Sequence, residues 1–250
     1  MNHLKTVLVE NINNFCVVTL NRPEAKNAFD QQMILELTQV FIDLNNSNDF
    51  QGVILKGEGS AFCAGADLNW MKNMVQFSFD QNVQDSEKLW NMFQAIQQCK
   101  HLIITKVHGA VFGGALGLVA CSDYIFSEEK TQFCFSEVKL GLAPAVISSF
   151  ILNKCSESFI KPLMLSAEVF NTLKAQQIGL VQQIFISDLS IEEIQNKFIH
   201  NSPIAVRATK KLLADLKDQD QKKLTTELIS HLRIGEDAQA RLKKFFNKLK

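Results

Sequence analysis

The chain has 250 residues, 46% of them hydrophobic, and its 26 basic and 26 acidic side chains leave no net charge. This length fits one large domain, with enough apolar residues for a sizeable core. Balanced charge offers no broad positive surface to a nucleic-acid backbone, so we do not expect nucleic acid as a partner. No stretch is long and apolar enough to span a membrane, so membrane insertion is not expected either.

The N-terminus and the cysteines indicate the cellular setting. Residues 1–7 lead directly into strand-like alternation, without the apolar core of a secretory signal or the Arg-rich pattern of a transit peptide. This pattern favours a cytoplasmic protein. The six cysteines form no C-x-x-C pair and mostly lie inside apolar runs, where a thiol behaves as a small hydrophobe. We expect free thiols and no bound metal.

The chain begins with a predicted hairpin and a helix. Residues 4–10 and 14–20 alternate between apolar and polar side chains, which predicts two strands joined by a turn. Asp30 can cap a helix, because apolar residues recur after it at helical spacing. These apolar positions are Met33, Ile34, Leu37, Val40, Phe41 and Leu44.

The following segments alternate between strand and helix patterns. They are strand 52–56, helix 82–99, strand 102–107, helix 114–120 and strand 123–127. From about residue 190 the apolar spacing is helical, and Ser202-Pro203 begins a second C-terminal helix. The repeated unit is two strands and a helix, and no flexible linker separates these units from the helical C-terminal region.

Two runs of small residues, 61–69 and 108–115, each follow an apolar strand and lead into a helix. Small residues allow a backbone to come close to a ligand, although after a strand they more often mark tight packing. Two strand-to-helix turns can direct two N–H groups at one oxygen, and such donors stabilise an oxyanion. Together the two runs predict a two-donor oxyanion hole.

Four segments carry a resemblance to a known family. They are "RPEAKNAF", "AFCAGADLNWM", "HGAVFGGALGLVACSD" and "FSEVKLGLAPAVIS". In order and spacing they resemble the enoyl-CoA hydratase/isomerase superfamily, also called the crotonase family, across nearly the whole chain. Within it, "GADLNWM" and "SEVKLGLAPAVIS" are most similar to bacterial 3-methylglutaconyl-CoA hydratases of leucine and isoprenoid degradation.

The resemblance implies an α/β fold and a mode of assembly. Residues 1–189 would form a crotonase-like spiral of ββα units that carries the acyl-CoA site. Residues 190–250 would form a helical region for oligomerisation, giving a homotrimer or a dimer of trimers. The thioester of coenzyme A would be the substrate, with no further cofactor.

The resemblance also implies the catalytic groups. The backbone N–H groups of Ala66 and Gly114 match the two donors that hold the thioester oxygen of an enolate. Glu137, an acidic residue within an apolar stretch, matches the principal acid/base glutamate. Partial burial would raise its pKa towards the working pH.

A binding path for coenzyme A follows from the same matches. Arg22, Ala25 and Lys26 would lie near the phosphates. The remaining substrate-binding positions are Cys63, Ala64, Ala66, Asp67, Leu68, Asn69 and Gly114. In the C-terminal tail, Phe245 and Lys248 match an aromatic residue and a lysine that approach the coenzyme, often from a neighbouring subunit. Trp70, Met71 and Met74, then Phe77 and Phe79, are candidates for either the acyl pocket or helix packing.

Gly117 departs from the two-glutamate hydratases, which have a second glutamate at this position. Three alternatives follow. The leading one is a hydratase, similar to the methylglutaconyl-CoA type, in which another group or an ordered water replaces the missing carboxylate. The second is a Δ3,Δ2-enoyl-CoA isomerase that uses one glutamate, and the third is a non-catalytic acyl-CoA-binding protein. Gly117→Glu is expected to add hydratase activity only if the cleft admits the side chain.

Overall fold

The computed structural model describes residues 4–74, 76–216, 235–237 and 240. The strands of this part are β1 (Val7–Ile12), β2 (Phe15–Leu20), β3 (Gly52–Gly57), β4 (Leu102–Val107), β5 (Ala110–Phe112), β6 (Tyr124–Glu128), β7 (Gln132–Cys134), β8 (Phe170–Asn171) and β9 (Gln183–Phe185). Its α-helices are α1 (Gln31–Asn46), α2 (Leu68–Met74), α3 (Phe79–Gln97), α4 (Ala115–Cys121), α5 (Ala145–Lys154), α6 (Glu157–Ser166), α7 (Thr172–Gln177), α8 (Ile191–Phe198) and α9 (Pro203–Asp215). Short 3₁₀ helices cover Pro23–Ala25 and Glu137–Leu140.

The strands form two sheets. The larger sheet has the order β1-β2-β3-β4-β6-β9, in which only the β1–β2 hairpin is antiparallel. The smaller sheet has the order β5-β7-β8, and β5 pairs with β7 in parallel. Because parallel strands end at the same edge of a sheet, the turns after β3 and β4 lie side by side. The predicted succession of strand pairs and helices is therefore present.

Local signals in the sequence set the helix boundaries. The Asp30 carboxylate accepts a hydrogen bond of 2.8 Å from the Met33 N–H, which confirms the predicted cap of α1. All six predicted apolar positions of this helix are buried. Helix α3 begins three residues earlier than predicted, because Ser78 and Gln81 form a reciprocal capping box.

The described part of the C-terminal region packs on the larger sheet. Ile194 and Phe198 of α8 belong to the apolar cluster that covers Phe15, Ile54 and Ile104. The Ser202 hydroxyl caps α9 by accepting a hydrogen bond of 3.1 Å from the Ala205 N–H. The division of the chain at residue 190 stays a prediction, and so does the role of residues 190–250 in oligomerisation.

All six cysteines are free and buried. In the part of the chain that the structure describes, no helix is long and apolar enough to cross a membrane. Nor do the described histidine, cysteine and acidic residues form a group of three that could hold a metal ion.

Candidate active site

The two runs of small residues meet beside the smaller sheet. Cys63 forms a parallel bridge with Val111, in which the Cys63 N–H donates to the Ala110 carbonyl at 3.1 Å. The Phe112 N–H donates in turn to the Cys63 carbonyl at 3.2 Å. These bonds hold the turn after β3 against the turn after β4, so the backbones that the sequence singled out are neighbours.

The N–H group of Ala66 points away from Phe29. The Phe29 N–H donates to the Gly65 carbonyl, and the Asp67 N–H donates to the Phe29 carbonyl, both at 2.7 Å. A parallel bridge of this kind uses the groups that flank Ala66, so its own N–H points to the opposite side. Gly65 has a φ of +98°, and a Cβ there would lie 2.9 Å from the Phe112 carbonyl oxygen, so only glycine fits.

Gly114 precedes the first turn of α4. Its neighbour Gly113 has a φ of +53° and donates its N–H to the Cys134 carbonyl at 2.9 Å. The carbonyl groups of Gly113 and Gly114 accept the first hydrogen bonds of the helix. Among the hydrogen bonds between described residues, neither the Gly114 N–H nor the Ala66 N–H is a donor. Both amides are available to a ligand.

Glu137 lies beside this turn. Phe112 pairs with Cys134 in the smaller sheet, which brings the residues that follow each strand together. The Glu137 Oε1 atom is 3.5 Å from the point that a Cβ on Gly113 would occupy. Its Oε2 atom is buried and has no hydrogen-bond partner among the described residues. Burial raises the pKa of Glu137, while a hydrogen bond to its own backbone acts less strongly in the other direction.

These groups border one cavity of about 850 Å³, which is lined by Ala66, Gly114 and Glu137. Most of the remaining wall is apolar, and it includes Phe29, Leu68, Trp70, Met71, Met74, Leu89, Leu140, Leu142, Val146 and Ile147. Phe77 and Phe79, the other candidates for an acyl pocket, are not among the described residues that line it. The Phe79 side chain is 81% exposed and borders a neighbouring hollow.

Arg22 and Asp67 hold the start of α2. The Arg22 guanidinium lies 3.0 Å from the Asp67 carboxylate and also donates to the Ala28 carbonyl at 2.6 Å. The same carboxylate accepts from the N–H groups of Asn69 and Trp70 at 2.8 and 3.2 Å. Burial by itself raises the pKa of Asp67, but these hydrogen bonds outweigh it and lower the pKa. Contact of Arg22 or Asp67 with coenzyme A stays a prediction.

Of the remaining predicted coenzyme residues, Leu68 lines the cavity, and the others in the described part of the chain do not. The Ala64 N–H donates to the Lys26 carbonyl at 3.0 Å, so the loop with Ala25 and Lys26 lies against the first small-residue run. Cys63 is buried, whereas Leu68 and Asn69 are exposed. Phe245 and Lys248 lie outside the described residues. Contact of these residues with coenzyme A stays a prediction.

Gly117 is buried in α4 and does not line the cavity. A Cβ on it would lie 2.5 Å from Cζ of Phe93 and 3.0 Å from Cγ2 of Ile147. The condition set for Gly117→Glu, that the cleft admit the side chain, is therefore not met, because the Phe93 ring fills that space.

Sequence reasoning missed the contribution of α3 to the cavity. Asn82, Asp85, Ser86 and Leu89 line it, and Asp85 is 9% exposed. Their spacing of three, four and seven residues places them on one helical face, which is the signal that could have identified them. Lys72 of α2 is a further charged lining residue that was not predicted.

Comparison with known proteins identifies the class of protein that this fold and site define. The family model of enoyl-CoA hydratase/isomerase matches residues 10–250. The chain belongs to the enoyl-CoA hydratase/isomerase family, and is an enzyme of that family with the predicted crotonase fold.

Individual relatives agree with this assignment. A crystal structure from Legionella pneumophila, described as an enoyl-CoA hydratase/isomerase (crotonase), has 36% identity and a TM-score of 0.92, with 98% of each chain covered. A short-chain-enoyl-CoA hydratase of Clostridium acetobutylicum is 29% identical over 84% of this chain and 81% of its own length. A 2,3-dehydroadipyl-CoA hydratase of Escherichia coli is 27% identical over 84% of this chain and 82% of its own length.

Proposed function

We propose that this enzyme adds water to the double bond of an α,β-unsaturated acyl-CoA thioester. The observation that supports this most is the meeting, at a single cavity, of two backbone N–H groups that donate to no described residue and a half-buried glutamate whose Oε2 atom is buried. Ala66 and Gly114 supply the amides, and Glu137 supplies the carboxyl.

The two amides act on the thioester oxygen. When water adds to C3, negative charge moves to this oxygen and an enolate forms. Donors that are already in place stabilise such charge by about 3–4 kcal/mol each in a site that excludes water. Hydration involves no net oxidation or reduction, and the two amides with the Glu137 carboxyl supply the charge stabilisation and proton transfer, so we propose that the reaction uses neither a metal nor a redox cofactor.

Glu137 carries the proton. As a carboxylate it accepts one proton from water while the oxygen of that water bonds to C3. The same carboxyl then gives the proton to C2 as the enolate collapses, so that H and OH are both added and Glu137 is regenerated. Its buried Oε2 atom has the free acceptor capacity that this step requires.

An isomerase is the second candidate, because Phe93 fills the space beside Gly117. A 3-enoyl-CoA thioester can lose a proton from C2 to Glu137 and regain it at C4. This reaction needs the same two amides and no positioned water. The hydratase proposal requires that a water molecule reach C3 from another part of the cavity.

The identity of the preferred acyl group is a separate question from the type of reaction. Relatives at similar identity are named for a short-chain enoyl group and for the dehydroadipyl group, so membership of the family leaves the acyl group open. The amino-acid sequence of residues 65–71 and 136–148 favours 3-methylglutaconyl-CoA, whose acyl group ends in a carboxylate. Lys72 supports this choice as a basic side chain in the described cavity wall.

We also propose threefold assembly as a trimer or a dimer of trimers. Helices α5 and α6 expose Leu152, Phe159 and Leu165, which are 49%, 51% and 69% exposed in the single chain. Burial of such side chains between copies would stabilise an oligomer. Light scattering should give a multiple of three chains, and a monomer at working concentration would rule this out.

The reaction is tested with a panel of thioesters, followed by the absorbance of the conjugated enoyl group. Crotonyl-CoA and 3-methylglutaconyl-CoA should lose this absorbance as they are hydrated. A 3-enoyl-CoA that gains it instead would identify an isomerase. No conversion of any member of the panel would contradict both proposals.

A further inference from the structure

Asp85 is a buried carboxyl group in the cavity that the proposed reaction does not use. It lies on α3, between Asn82 and Ser86 on the face that borders the cavity. Leu89 continues the same face one turn further on. The cavity wall is otherwise mostly apolar, so these three polar side chains form one polar strip within it.

The surroundings of Asp85 leave its carboxyl group with spare hydrogen-bonding capacity. Burial raises the pKa of Asp85, while Lys88 of the same helix and a hydrogen bond from the Trp70 side chain oppose this shift. The other charged groups in the described cavity wall are Lys72 and Glu137. A carboxylate can accept about four hydrogen bonds, so the contact with Trp70, the hydrogen-bonding partner found among the described residues, leaves capacity for a ligand.

We propose that Asp85 recognises a polar end of the acyl group, so that the preferred substrate carries a hydroxyl or carboxyl group beyond its double bond. This inference rests on the proposed function, since it names the acyl class for the same cavity. A hydroxyl group donates its proton to the Asp85 carboxylate. An acyl carboxylate shares a proton with Asp85, and Lys72 adds positive charge at the same cavity.

A plain hydrocarbon chain would be a poorer substrate for a physical reason. It would displace water from Asp85 without replacing the hydrogen bonds that the water supplied. Sites that contain a buried hydrogen-bonding group discriminate strongly against ligands that leave it unsatisfied. The apolar walls bind the hydrocarbon part of the acyl chain, and Asp85 recognises the polar group at its far end.

The test compares three six-carbon thioesters that differ only at the far end: 2-hexenoyl-CoA, 6-hydroxy-2-hexenoyl-CoA and 2,3-dehydroadipyl-CoA. The wild-type enzyme should show a kcat/KM at least about tenfold higher for a polar member than for 2-hexenoyl-CoA. The comparison of the two polar members shows whether the hydroxyl or the carboxyl group is the natural feature.

Substitution of Asp85 assigns this preference to the residue. Asp85→Leu should remove the preference while 2-hexenoyl-CoA is converted at least as well as by the wild type. Asp85→Asn should retain part of the preference, because an amide still forms hydrogen bonds. Gln84→Leu is the matched control, since Gln84 is the exposed neighbour on α3 and does not line the cavity.

Two results would overturn the inference. One is a wild-type enzyme that prefers 2-hexenoyl-CoA or treats all three thioesters alike. The other is an equal loss on all three substrates in both Asp85 variants, which would indicate a structural role. Failure of the wild-type enzyme to convert any of the three would instead contradict the proposed function itself.

Discussion

The ring of Phe93 occupies the space into which a side chain at Gly117 would extend. Its Cζ and Cε1 atoms lie 2.5 and 2.6 Å from the position of a Cβ on Gly117, so the two positions share one volume. The ring also packs edge-on against Phe29, with 6.5 Å between ring centroids, and Phe29 lines the cavity. An aromatic residue from α3 thus closes the place that, by the resemblance to two-glutamate hydratases, would hold a second carboxyl group.

Gly117→Ala should therefore destabilise the protein by about 1–3 kcal/mol, the usual result of overpacking a core. The conflict is with the far end of the Phe93 ring, so Phe93→Leu should relieve part of it. We expect the double variant to lose less free energy of unfolding than the two single variants lose together. Urea unfolding of the wild type and the three variants measures this coupling, and strict additivity would contradict the shared volume.

Much of the fold follows from short-range signals. The Asp30 cap, the apolar spacing of α1 and strand 102–107 were predicted correctly, because caps and periodicity are written within a few neighbouring residues. The two small-residue runs also indicated the correct turns. What they could not give is the direction of the Ala66 N–H group, which depends on the bridge between Phe29 and Ala66.

The missed features depend on contacts between distant parts of the chain. The sequence around Phe93 and Gly117 gives no sign that the two residues are in contact. The packing of α3 against α4 makes them neighbours. Asp85 likewise becomes a cavity residue through the placement of α3. Arg22 and Asp67 are 45 residues apart, and their ion pair could not be inferred from either motif alone.

The Arg22–Asp67 pair yields a second prediction. Arg22→Met should lower stability by about 1–3 kcal/mol, because it leaves the mostly buried Asp67 carboxylate without its cation. Since the pKa of Asp67 is lowered in the folded protein, its stabilising contribution is present above the unfolded pKa of about 3.9 and is lost as pH falls below it. The deficit of Arg22→Met should therefore be larger at pH 7 than at pH 3.

Thermal or urea unfolding at the two pH values checks this prediction. Lys26→Met is a suitable comparison for stability, because Lys26 is exposed and belongs to the same loop. Equal stability of Arg22→Met and the wild type at pH 7 would show that the ion pair contributes nothing to the fold.

The pH dependence of turnover forms a third prediction. Glu137 must be a carboxylate to accept the proton of water, so activity should rise with pH as this group ionises. Burial raises the pKa of Glu137, and the ascending limb of kcat/KM should lie above the ordinary glutamate value of about 4.3. A limb centred at or below that value would show that the carboxyl group is solvated in the free enzyme.

The same raised pKa predicts that Glu137 lowers stability at neutral pH. A group with a raised folded-state pKa contributes stability that is fully present below its unfolded pKa and is lost as pH rises through the folded value. Glu137→Gln removes this loss, so relative to the wild type it should be more stable at pH 8 than at pH 4. Urea unfolding at both pH values measures the difference, and a pH-independent offset would contradict it.

Glu137→Gln also tests the catalytic assignment directly. Glutamine keeps the size and hydrogen bonding of the side chain but cannot carry a proton, so kcat should fall by about 100-fold or more. Binding of acetoacetyl-CoA, measured by calorimetry, should survive, because the Ala66 and Gly114 amides remain in place. Glu129→Gln serves as the matched control, since Glu129 is exposed and does not line the cavity. If Glu137→Gln turns over a good wild-type substrate at a near-normal rate, then another group carries the proton and the assignment of Glu137 is wrong.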